Sequence, residues 1–143
     1  MENTRLYQQT ENYSHEYGNL PLVTCYPSQL NQVFLNIINN AIDAIRDNCQ
    51  SSEDPEIRIR TGVIDREWLR IAIANTDSTI PVSLQERIFE PFFTTKPIGR
   101  GQGLGLFVCY FIIQQHRGTL TVRCHPTERT EFEIVLPICQ GKY

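Results

Sequence analysis

The sequence predicts an α+β fold, a two-layer α/β sandwich in which helices cover one face of a mixed, mostly antiparallel sheet. Three observations predict it. Residues 56–63, 68–74, 119–125 and 131–137 alternate apolar and polar side chains, the period of a half-buried strand. A segment beginning at Pro27 carries apolar residues at helical spacing, and a strongly apolar segment over about residues 103–116 follows a glycine run. Strands and helices are interleaved, with no repeat or low-complexity stretch, which places the helices in one layer and the strands in the other.

In chain order, residues 1–18 are polar and short of apolar anchors, and are expected to be an edge strand or a connector from an upstream domain; residues 19–143 form the domain proper. Leu22–Cys25 is expected to be a short strand. Pro27 opens the first helix, where its fixed φ fits the first turn. Within it Val33, Phe34, Ile37, Ile38, Ala41, Ala44 and Ile45 form a broad apolar face. A polar turn from Asp47 to Pro55 closes that helix. The next two strands are joined at Ile64 to Glu67, and residues 83–87 make a short helical turn. Gly118 stops the second long helix. The last two strands turn at Pro126 to Arg129.

Composition narrows the function. With 143 residues the chain can bury roughly two thirds of its unfolded surface, enough for one core. A net charge of −3 with scattered basic residues argues against an electrostatic nucleic-acid binder. The cysteines at 25, 49, 109, 124 and 139 are odd in number and include no C-x-x-C, so reduced thiols in a cytoplasm are the simplest reading. The three histidines have no metal-ligand spacing. No secretory signal opens the chain, and its longest apolar run, Leu104 to Ile113, is about half of a membrane span.

Two segments carry chemistry. Gly99, Gly101, Gly103 and Gly105 fall on alternate positions just before an apolar helix, a backbone that can approach a ligand closely and offer unpaired N–H groups to an anion. Neither a P-loop ending nor G-x-G-x-x-G fits the run. A flexible hinge is the alternative reading. The second segment lies in 26 consecutive uncharged residues between Glu16 and Asp43. There Gln32, Asn36, Asn40 and Asp43 share one helical face. Asparagine is a poor helix former, so a stripe built from it points to a polar ligand or a metal in a cleft; a mildly polar face satisfied by neighbouring loops is the alternative reading.

Together these segments resemble a known family. Asn36-x-x-x-Asn40-Ala-x-Asp-Ala is similar to the N box of sensor histidine kinases, Ile88-Phe-Glu-Pro-Phe-Phe-Thr-Thr-Lys96 to their F box, and Gly101-Gln-Gly-Leu-Gly-Leu106 to their second glycine box. The order and spacing match from about residue 18 to residue 138, the span of one domain of this size. The resemblance implies the catalytic ATP-binding domain with its Bergerat-type fold, shared with type II topoisomerases, Hsp90-type chaperones and mismatch-repair ATPases. It implies ATP and Mg²⁺ as cofactors and transfer of the γ-phosphoryl group to a histidine on a separate dimerisation domain of the same parent, with a response regulator as an indirect partner. No nucleic acid or membrane contact is expected of this part.

Carried over residue by residue, the resemblance makes Asn40 the Mg²⁺ ligand, a role that suits an amide oxygen. Asn36 stands where hydrolytic relatives carry glutamate, and an amide takes no proton from water, which disfavours an ATPase. Asp43 matches a position often occupied by lysine or aspartate; a solvent-exposed helix acid is its other reading. Lys96 and Arg100 flank the segment expected to close over the triphosphate, beside Gly101, Gly103 and Gly105. Ile80, Leu104, Leu106 and Thr130 match positions near the nucleotide, and the apolar ones also suit plain core. Phe89, Phe92 and Phe93 are expected to pack.

One box departs from the pattern. Where the kinases carry Asp-x-Gly-x-Gly-Ile, this chain reads Asn75-Thr-Asp-Ser-Thr-Ile80, and Arg129 replaces a usual glycine. Asn75 can accept the adenine amino group through its amide oxygen, in a neutral bond about half as strong. A degenerate module that docks partners without turnover, and an anti-sigma-type serine kinase on the same fold, are the competing readings. His15-Glu16 imitates a phosphoacceptor pair but has no long amphipathic helix around it, so the acceptor is expected elsewhere.

Overall fold

The computed structural model describes residues 13–18, 20–47, 55–76, 80–93, 104–125 and 129–138. Its elements are β1 (Tyr13–Tyr17), α1 (Pro27–Asp47), β2 (Ile57–Val63), β3 (Trp68–Asn75), α2 (Val82–Gln85), a 3-10 turn (Arg87–Phe89), α3 (Gly105–Gln115), β4 (Thr119–His125) and β5 (Arg129–Pro137). The strands form one sheet in the order β1-β2-β3-β5-β4. Among the described strands only the β1–β2 pair is parallel, so the sheet is mixed and mostly antiparallel.

Alternation decides which face is which. Ile57 and Ile59 of β2, Leu69, Ile71 and Ile73 of β3, Leu120 and Val122 of β4, and Phe132, Ile134 and Leu136 of β5 are buried in one core. That core is completed by Val33, Phe34, Ile37 and Ala41 of α1 and by Cys109, Ile112 and Ile113 of α3. The opposite face is charged. Arg60 pairs with Glu131 at 3.0 Å, and Glu133 receives both Arg70 at 2.9 Å and Arg123 at 2.8 Å. At the β2–β3 turn, Asp65 Oδ1 accepts the Glu67 N–H at 2.7 Å and the Trp68 N–H at 3.2 Å, a local side-chain turn.

The two long helices run antiparallel. Near the start of α1, the Tyr26 N–H donates to His116 Nε2 beyond the end of α3 at 3.1 Å. Further along, Cys109 Sγ donates to the Val33 carbonyl at 3.7 Å, and Asn36 meets Gly105 at the beginning of α3. A residue step toward the end of α1 is therefore a step toward the beginning of α3.

Leu22–Cys25 is not a strand. The Thr24 N–H reaches the Ile138 carbonyl at 3.5 Å, just past the end of β5. Since β5 lies between β3 and β4, it has no open edge for another strand to join. Val23 is buried all the same, as a plug at the mouth of α1.

The end of α3 also differs in detail. The Gly118 N–H donates to the Ile113 carbonyl at 2.9 Å and the Arg117 N–H to the Gln114 carbonyl at 3.0 Å, the double bond pattern of a Schellman cap. The left-handed residue is Arg117, with φ 60, and not the glycine. Gly118 serves close approach: a Cβ there would stand 2.3 Å from the Val135 carbonyl oxygen. Among the described residues no helix is long and apolar enough to cross a membrane.

Candidate functional site

On α1, Asn36, Asn40 and Asp43 are half-buried and line one face, while Gln32 and Asn39 are exposed. Asn36 Nδ2 donates to the Gly105 carbonyl at 3.4 Å, which ties the polar stripe to the first residue of α3 across 69 positions of sequence. The antiparallel packing then carries Asn40 and Asp43 one and two turns beyond the start of α3. Cys109 lies under this junction. Burial pushes its thiol up from 9.0 to about 11, against the smaller opposing effect of a hydrogen bond from Asn36. It is a neutral packing group.

Leu104 precedes α3 without a side-chain cap, and among the described residues a Cβ added at Gly105 would meet no atom within 4 Å. Leu104 is half-buried, and Leu106 is half-buried against the core. Lys96, Arg100, Gly101 and Gly103 lie outside the described residues, as does most of the glycine run.

A second group gathers at one end of the sheet. Asn75 pairs in register with Ile57 on one side and with Thr130 on the other, and Thr130 pairs with Cys124. Asn75 is 3% exposed and Thr130 2%. Asn75 Nδ2 donates to the Thr76 carbonyl at 3.2 Å, which leaves its Oδ1 as the acceptor of the amide. Ile80 joins the row through Cys124: the Ile80 N–H donates to Cys124 Sγ at 3.1 Å, and the thiol faces the Ile80 carbonyl at 3.3 Å.

The two groups share an end of the molecule. Thr24 touches Ile138 where β5 finishes, opposite Trp68, so α1 enters at the far end of β3 and its later half runs toward Asn75. Similarly the chain leaves α3 through Gly118, beside Val135, so α3 begins near the Thr130 end. Asn36, Asn40 and Asp43, the start of α3, and the Asn75-Thr130-Ile80 group thus converge on one pole of the sandwich.

Of the phenylalanines, Phe89 stacks on Tyr110 at 5.6 Å and meets Phe132 edge-on at 6.4 Å, while the Arg87 guanidinium sits 5.0 Å over the Phe93 ring. Phe92 does not pack. It is 73% exposed and has a left-handed φ of 67. Sequence reasoning missed Cys124 and Gln85, whose Nε2 donates to the Ile80 carbonyl at 3.0 Å. The register of the β4–β5 hairpin, which sets Cys124 opposite Thr130, is the signal that reveals the first.

The donor set suits a hard cation held mainly by its ligand. Among the described residues no three His, Cys, Asp or Glu side chains cluster as metal ligands. The oxygens that Asn36, Asn40 and Asp43 carry on this face of α1 are two amides and one carboxylate, the sparse set with which Mg²⁺ is held when phosphates and waters fill its octahedron.

Residues 25–140 match the family described as histidine kinase-, DNA gyrase B- and HSP90-like ATPases. Sporulation kinase E of Bacillus subtilis is 35% identical over 122 residues, covering 85% of this chain and 15% of that protein. The signal transduction histidine-protein kinase AtoS of Escherichia coli is 40% identical over 109 residues, 76% of this chain and 17% of its own length. Both relatives are therefore several times longer than this chain. The nucleotide-free catalytic domain of the histidine kinase ThkA superposes with a TM-score of 0.74 at 30% identity, covering 90% of this chain and 80% of that one. The chain belongs to the histidine kinase-, DNA gyrase B- and HSP90-like ATPase family, as an ATP-binding catalytic domain of the sensor histidine kinase kind.

Proposed function

We propose that this domain binds Mg-ATP at the pole formed by α1, the start of α3 and the Asn75 row, and transfers the γ-phosphoryl group to a histidine on a dimerisation domain of its parent protein. The observation that carries the reading is the Asn36–Gly105 hydrogen bond, which joins the asparagine stripe to the helix that follows the glycine run. Phosphoryl transfer asks a protein chiefly to position phosphates and offset their charge. The uncapped first turn of α3 can receive a phosphate, and the Asn40 amide oxygen can hold Mg²⁺ with Asn36 and Asp43 beside it. When bound, Mg²⁺ supplies charge neutralisation at the phosphate oxygens. Lys96 and Arg100, beside the glycine run in sequence, would add cations for the phosphates. Asn36 cannot act as a general base toward water, which favours transfer to another group over hydrolysis.

At the base end, Asn75 Oδ1 accepts the adenine amino group, and Ile80 and Thr130 line the base. A response regulator would then take the phosphoryl group from the histidine. The domain works in the cytoplasm on this reading, where ATP and Mg²⁺ are supplied. Calorimetric titration with ATP, with and without Mg²⁺, tests it. Binding should require Mg²⁺, and Asn40→Ala should abolish the Mg²⁺-dependent part while its circular dichroism stays that of the wild type. Equal affinity in the two proteins would show the stripe to be merely a solvated face.

A further inference from the structure

The structure assigns to Cys124 a part that neither the family motifs nor the predicted site includes: we infer that its thiol, acting through Ile80, is a positioning residue for the nucleobase. Cys124 is the inward-facing residue near the end of β4, opposite Thr130, which is itself opposite Asn75. Its sulfur accepts the Ile80 N–H at 3.1 Å, its S–H points to the Ile80 carbonyl at 3.3 Å, and the Thr130 hydroxyl lies at 3.7 Å. One side chain thus engages both backbone groups of Ile80. Gln85 adds a second hold, donating to the same Ile80 carbonyl at 3.0 Å from α2.

The arrangement matters because Ile80 reaches the sheet through side-chain hydrogen bonds, not through a strand ladder. Residue 80 follows Asn75 by five positions, in a stretch with no glycine between them. The Cys124 thiol ties the Ile80 backbone to β4 beside the Asn75–Thr130 pair, the Gln85 amide ties the Ile80 carbonyl to α2, and the Ile80 side chain packs against the core. This inference rests on the nucleotide reading above and deepens it: Cys124 sets the wall against which the base lies, and leaves the phosphates untouched.

The test compares two probes, Mg-ATP and magnesium tripolyphosphate, which has the phosphates but no base. Cys124→Ala removes the thiol's hydrogen bonds to Ile80 and should weaken Mg-ATP about tenfold while tripolyphosphate stays within about twofold. Cys124→Ser keeps a donor and an acceptor and should restore most of the loss. Gln85→Leu, which leaves the sheet intact, should produce the same split between probes, and stands in for the alanine variant should that fail to fold. Equal weakening of both probes would reduce Cys124 to a structural role, and unchanged Mg-ATP affinity in Cys124→Ala and Gln85→Leu would overturn the inference alone. A wild-type chain that binds neither probe would overturn the nucleotide reading itself, and this inference with it.

Discussion

Asn75 shows how much one buried amide is asked to do. Its Nδ2 is held by the Thr76 carbonyl at 3.2 Å, which presents its oxygen as an acceptor. Asn75→Asp would set a carboxylate oxygen against that carbonyl in a site 3% exposed, so the variant should lose about 1–3 kcal/mol of stability in urea unfolding. It should also discriminate ATP from GTP more sharply, because a carboxylate repels the carbonyl that guanine presents where adenine has an amino group. Competition binding of both nucleotides to both proteins checks this, and an unchanged ratio would place the base elsewhere. Cys109 gives a pH prediction. Its thiol loses its proton at about 11 when folded and at 9.0 when free, so the folded state binds the proton more tightly between those values. Stability from this group is complete below pH 9 and lost as pH rises through that window, by about 2–3 kcal/mol. Unfolding of the wild type and Cys109→Ala across the window isolates the effect: the alanine variant should show a shallower alkaline decline.

Among the elements, the strands and long helices were legible because their periods differ and each has a single buried face. Val33, Phe34, Ile37 and Ala41 are buried as the helical spacing requires. What escaped were features set by a partner distant in sequence. Leu22–Cys25 reads as a short strand, yet the neighbouring β5 has both edges taken. Cys124 looks like any small apolar residue until the hairpin register puts it beside Thr130. The asparagine stripe could be read from α1 alone, whereas its contact with Gly105 needed the packing of two helices. Gly118 is the clearest instance of a right position with a different cause. It follows the αL residue and gives way to the Val135 carbonyl, so Gly118→Ala should cost about 3 kcal/mol, from a Cβ 2.3 Å from that oxygen and 2.9 Å from Leu136 Cδ2. Thermal unfolding measures it, and a loss below about 0.5 kcal/mol would mean that β5 can move aside.

For the whole molecule, the division of labour is the testable point. His116 is 2% exposed, with Nε2 accepting the Tyr26 N–H and Nδ1 2.9 Å from the Ile112 carbonyl, so it is occupied as a structural group and cannot receive a phosphoryl group. Incubated with labelled ATP, this chain alone should therefore remain unlabelled, and adding the dimerisation domain of its parent should yield acid-labile label on that domain. Label on this chain's own histidines would contradict the scheme. The parallel pairing of β1 adds a mechanical consequence. Tyr13 is in register with Ile57, which is paired with Asn75, which is paired with Thr130. The first residue of the edge strand thus belongs to the same transverse row as Asn75 and Thr130, and among the described residues no other strand covers its outer side. A pull on the backbone ahead of Tyr13, directed away from the sheet, loads that row before any other and peels β1 from that end, one residue pair at a time.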